Sequence, residues 1–138
     1  MKRLIDSLGN TSTRMLTTQY RMNELIMNWI SDKLYESKLL AHESVANHVL
    51  ADLSGIEKNE LTTTPVLLID TDGCDMTEMI MKSDNLNGDE ESKANDGEAN
   101  IVCQHVSDLV QKNIKPIDIA VITPYNLQME LIKVKFCV

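Results

Sequence analysis
The chain has 138 residues, 43% of them hydrophobic and 25% charged, an ordinary composition for one globular domain or a piece of a larger one. No run approaches the roughly 20 apolar residues of a membrane span, and the opening MKRLIDSLGN lacks the apolar stretch of a secretory signal. Cys74, Cys103 and Cys137 are odd in number and form no CxxC pair; this argues against a disulfide framework or zinc site and suits a reducing compartment. An intracellular location, in cytoplasm or nucleus, is expected.

The net charge of −8 is concentrated: residues 70–98 hold ten acids against Lys82 and Lys93, which accounts for all of it. The acidity therefore describes one segment. It makes no electrostatic case for nucleic-acid binding, and it leaves room for a locally basic face.

In chain order, residues 2–8 predict the end of a helix, with Gly9 as terminator. Met15–Thr18 is a short β-favouring run. Met22, Leu25, Ile26, Trp29, Ile30 and Leu34 recur at helical spacing and predict one wide apolar stripe. Residues 35–64 are less regular, with short helical turns expected around Ser44–Leu53. Pro65 introduces Val66–Ile69, an apolar run of strand length such as parallel sheets bury on both faces. Residues 71–97, rich in Asp, Asn, Ser, Gly and Lys, read as an acidic and largely mobile surface insertion. Glu98–Lys112 is a second amphipathic helix, with Ile101, Val102, His105, Val106, Leu109 and Val110 inward. Ile117–Ile122 follows Pro116 as another strand. Thr123 and Pro124 read as N-cap and first residue of a last helix reaching about Lys135. Alternating strands and helices predict an α/β fold with a parallel sheet.

Arg21 poses the sharpest question. It precedes a helix, and a cation at a helix N-terminus is disfavoured by roughly 0.3–1 kcal/mol. Either its aliphatic stem covers apolar surface, or an anion stands before it. Elsewhere, His42 and His48 in HESVANH are spaced too widely for the HExxH zinc pattern. Asp70 and Asp72 in VLLIDTDGCD resemble the opening of haloacid-dehalogenase-type phosphatases, where paired carboxylates and magnesium work on phosphorus. Gly73-Cys74 departs from that pattern, and no later acid pair completes it. The five glycines match neither GxxxxGK[ST] nor GxGxxG.

LTTQYRMNELIMNWISDKLYESKL, AHESVANHVLADLSGI, PVLLIDTDGC, NDGEANIVCQHVSDLV and DIAVITPYNLQMELI together resemble the second RecA-like domain of superfamily 1 helicases of the up-frameshift type. The resemblance covers almost the whole chain. It implies a truncated, partial RecA-like fold of the P-loop NTPase type, a parallel sheet with helices on both faces. It also implies an ATP-dependent helicase component acting on RNA or DNA, with ATP and Mg2+ held mainly by a first RecA-like domain absent here. On that likeness Arg21 is the finger reaching the γ-phosphate, Tyr20 contacts the nucleotide by its ring, and Gln19 supports the site. Thr123, Pro124 and Tyr125 would lie at the nucleic-acid groove. The family's usual His after Tyr-Arg-Met is Asn23 here, expected to cap the helix. No Walker A lysine or Asp-Glu magnesium motif is present. A non-catalytic RecA-like interaction module is the alternative expectation.

Overall fold
The computed structural model describes residues 14–82 and 91–137, together with Arg3 and Ser7. The helix end expected over residues 2–8 otherwise lies outside the described residues. The chain divides into two compact units, Met1–Ser54 with Lys58–Leu67, and Gly55–Glu57 with Leu68–Val138.

The first unit is built on a parallel βαβ crossover. Strand β1 (Thr18–Gln19) pairs with β2 (Leu40–Ala41), Thr18 opposite Leu40 and Gln19 opposite Ala41. Helix α1 (Glu24–Leu34) connects them. Asn23 is its N-cap, accepting the Leu25 N–H at 2.8 Å, and Glu24 and Lys33 match the dipole at the two ends. Asn23 also donates to the His48 carbonyl at 2.9 Å, which ties the helix start to the following loop. Two short helices follow, α2 (Glu43–Ala46) and α3 (Glu60–Thr63), around a 3-10 turn at Leu50–Asp52. The strand expected at Met15–Thr18 is thus shorter and shifted toward Gln19, and β2 was not anticipated.

The packed face of α1 differs from the expected stripe. Met27 and Ser31 are buried, whereas Trp29 is 68% exposed and Leu25, Ile26 and Leu34 are also exposed. Ser31 anchors the chain reversal: its carbonyl accepts the Tyr35 and Ser37 N–H groups, and its hydroxyl oxygen accepts the Leu39 N–H at 3.0 Å. Glu36 and Ser37 take positive φ of 53° and 57° to make that turn. Backbone satisfaction, which apolar periodicity does not register, selected the Ser31 face.

In the second unit β3 (Glu78–Lys82) and β4 (Glu91–Asn95) pair antiparallel, Glu78 opposite Asn95 and Lys82 opposite Glu91. Two strands therefore occupy the segment whose composition predicted an insertion; residues 83–90 lie outside the described residues. Helix α4 (Asp96–Gln111) starts directly from β4, its N-cap Asn95 accepting the Glu98 N–H at 3.1 Å. Helix α5 (Asn126–Phe136) packs against both α4 and β4. Ala94, Ala99, Ile114 and Ile132 form the buried apolar centre, with Gln128 among them.

The parallel sheet is realised only in part. β1–β2 is the one parallel pair among the described residues. Val66–Ile69 carries no ladder, and Pro116–Asp118 is a 3-10 turn followed by unladdered chain to Ile122. A run becomes a strand only when a neighbour takes its N–H and C=O groups, and neither run has such a neighbour among the described residues. Leu68 at 87% and Ile122 at 92% exposure show the consequence.

Candidate functional site
Gln19, Tyr20 and Arg21 occupy the turn between β1 and α1. The Gln19 side-chain oxygen accepts the N–H groups of Arg21 at 2.7 Å and Met22 at 2.9 Å. Its amide nitrogen donates back to the Met22 carbonyl at 2.7 Å. One side chain thereby laces the backbone of the turn that carries the next two residues. Arg21 stands two positions before the Asn23 cap, outside the helix itself. It is exposed, and among the described residues no carboxylate lies within ion-pair distance of it. It borders an apolar hollow of roughly 520 Å³ with Arg14, Met15, Met22, Met27 and Ile30 among the lining. The site therefore has a fixed backbone, a solvent-facing cation and an adjoining apolar wall.

Tyr20 is 64% exposed and lies against His42, ring centroids 4.3 Å apart with planes tilted by 31°. The sequence offers His42 only as a poor match to a zinc pattern, not as a neighbour of Tyr20. Its signal is the β1–β2 register: if Gln19 faces Ala41, the next residues on the two strands are Tyr20 and His42. That inference needs β2, whose two residues are too few for a periodicity.

Thr123, Pro124 and Tyr125 are brought together before α5 in the second unit. The expected N-cap is displaced: Tyr125 holds that position without a side-chain cap bond, while Thr123 Oγ1 accepts the Tyr125 N–H at 3.4 Å. Ser92 of β4 supplies the missing cap, its Oγ accepting the Leu127 N–H at 2.9 Å. Gln128 completes the attachment: Oε1 accepts the Asn95 N–H at 2.7 Å and Nε2 donates to the Asn95 carbonyl at 3.3 Å. Neither partner was legible in the sequence, because both bonds join residues more than thirty positions apart.

The three residues line a shallow hollow of roughly 180 Å³ with Glu78, Lys93 and Glu98. Lys93 and Glu78 form an ion pair at 3.0 Å, and the Glu78 carboxylate, by hydrogen bond and charge, holds the Lys93 ammonium above its ordinary pKa. The hollow is not a basic patch. It offers a phenol, a hydroxyl and a proline ring. His105 lines a separate groove of roughly 600 Å³ between α4, Ile69–Thr71 and Ile119–Ile122. The Asp70 carboxylate accepts the Asp72 N–H at 3.0 Å, and among the described residues no three His, Cys, Asp or Glu side chains gather as metal ligands. No helix among them is long and apolar enough to cross a membrane.

A family described as AAA domain matches residues 1–137. Over 133 residues the chain is 44% identical to DNA-binding protein SMUBP-2 of Mesocricetus auratus, covering 96% of this chain and 13% of that protein. It is 42% identical over 132 residues to DNA polymerase alpha-associated DNA helicase A of Schizosaccharomyces pombe, covering 96% of this chain and 20% of that protein. The Saccharomyces cerevisiae protein of the same name is 37% identical over 125 residues, 87% of this chain and 18% of its own length. The chain belongs to the AAA domain family, with the P-loop NTPase fold that this implies, and is an SMUBP-2-like, up-frameshift-type helicase region. It spans between about an eighth and a fifth of the length of these relatives.

Proposed function
We propose that this chain forms one wall of an ATP-driven, two-domain motor that moves on nucleic acid. In this reading Arg21 extends toward the γ-phosphate of ATP held with Mg2+ by a first RecA-like domain, and Tyr20 meets the base. The supporting observation is Arg21 itself: exposed, without a carboxylate partner among the described residues, on a turn fastened by Gln19. Those residues fit an anion and a ring. The 138 residues contain no loop of the phosphate-gripping kind, so the nucleotide's main holder belongs to the partner domain. When bound, the nucleotide supplies the free energy for opening and closing the cleft. This chain's contribution is to place positive charge where the phosphoryl group's negative charge spreads.

The test is Arg21→Ala in the complete motor. Turnover is expected to fall by about 10³-fold or more, the scale of an arginine finger, while ATP still binds and the thermal transition stays in place. A variant that unfolds, or one that turns over normally, overturns the reading.

Thr123, Pro124 and Tyr125 are the proposed nucleic-acid contact. With Glu78 and Glu98 beside them, recognition there runs through ring stacking and hydroxyl contacts more than through charge. Tyr125→Ala is expected to weaken single-strand binding by about 1–3 kcal/mol and to leave the slope of affinity against salt nearly unchanged.

A further inference from the structure
We propose that His42 is a positioning residue for Tyr20, backing one face of the phenol ring so that the opposite face receives the nucleobase of a nucleoside triphosphate. The inference rests on the reading of Tyr20 as a nucleotide contact. The ring centroids lie 4.3 Å apart with planes tilted by 31°, slightly closer than the roughly 4.5 Å lower end of usual aromatic pairs, so the two rings are in direct contact. The pair is sided: His42 is half-buried while Tyr20 is 64% exposed. The histidine is also the anchored member. Its Nδ1 accepts the Ser44 N–H at 3.2 Å as the N-cap of α2 and lies 2.8 Å from the Ser44 hydroxyl oxygen. The imidazole is thereby held by the helix it caps.

The strands place this pair where ligands of α/β sheets collect. Gln19 pairs with Ala41, and His42 donates its backbone N–H to the Gln19 carbonyl at 2.9 Å, so Tyr20 and His42 leave the carboxyl ends of adjacent parallel strands. Gln19 simultaneously fixes the backbone of Arg21. A phenol on an open surface turn has several rotamers, and holding one in advance removes an ordering cost from binding. His42 does this for the ring as Gln19 does for the turn, so base and phosphate contacts are set together.

The experiment separates the ring from the cap, using steady-state kinetics of the complete motor. His42→Asn keeps a side-chain acceptor for the Ser44 N–H and removes the ring; its KM for ATP is expected to rise about three- to tenfold with kcat little changed. His42→Phe keeps the ring and loses the acceptor, and its KM is expected to stay within about twofold of wild type. With ribose triphosphate, which has no base, His42→Asn and wild type are expected to coincide. A His42→Asn KM equal to wild type while Tyr20→Ala raises it overturns the role of His42 and leaves Tyr20 as the base contact. An equal rise with and without the base also overturns it, since the defect is then structural. Unchanged KM in Tyr20→Ala overturns the nucleotide reading and this inference with it.

Discussion
Arg21 sits where the dipole of α1 offers it nothing, two positions before the cap, and its side chain is left to solvent. What is invested there is backbone order. Gln19 accepts two N–H groups and returns one donor within a single turn. Such bonds each contribute about 0.5–1.5 kcal/mol net, so Gln19→Ala should lower stability modestly and loosen the pivot of the guanidinium. The expected outcome in the motor is a turnover loss well short of Arg21→Ala, with stability reduced by about 1–2 kcal/mol in chemical denaturation. The composition of this turn was legible in the sequence, since Gln-Tyr-Arg at a strand–helix junction is a local pattern. Its lacing by Gln19, and the backing of Tyr20 by His42, were not: the first depends on a rotamer, the second on a two-residue strand. Asn23 is the intermediate case. Its capping role follows from residue type, but its bond to the His48 carbonyl twenty-five positions away does not.

Among the elements, α4 and α5 are joined by groups that periodicity cannot report. Gln128 is 8% exposed and satisfies both backbone groups of Asn95. Gln128→Ala strands a partly buried donor and acceptor at the start of α4, and a loss of about 1–3 kcal/mol is expected, measurable by urea unfolding. Lys135 reaches from α5 to Asp96 at 2.7 Å and to the Asn100 side-chain oxygen at 2.7 Å. The hydrogen bond from Lys135 is the main cause of a lowered Asp96 pKa, its charge and a bond from Asn100 adding to it. A carboxyl lowered in the folded state contributes stability above its unfolded value and loses it as pH falls through the folded one. Lys135→Met should therefore melt earlier than wild type at neutral pH, and the gap should close below the ordinary Asp value of about 3.9, read from melting temperatures across pH. The long helices were legible to within two residues because sixteen or eleven positions average out local noise. The strand runs were not, because a ladder belongs to two segments and composition describes one. In residues 71–97 the acids outweigh the short apolar run Met79–Met81, and its ladder partners Ser92, Lys93 and Ala94 carry no apolar run of their own.

For the molecule as a whole, two apolar runs carry no ladder among the described residues, and they are exposed at Leu68, Ile69, Val121 and Ile122. No phosphate-gripping loop accompanies them in the 138 residues, so the purified chain is expected to hydrolyse no ATP above background; hydrolysis stimulated by added single strands would overturn the motor-wall reading. The same runs govern how the chain behaves in the tube. Backbone without a ladder partner, carrying a charge-free apolar sequence, is a template for intermolecular zippering. Both tracts are bracketed by residues that resist it, Pro65 with Asp70 and Asp118 with Pro124, the disposition of gatekeepers around aggregation-prone segments. Neutralising the acidic pair in Asp70→Asn/Asp118→Asn should shorten the lag before thioflavin T fluorescence rises. Four flanking residues, none of them in the Gln19–Arg21 turn, thus set how concentrated a stock can stand before it turns to fibre.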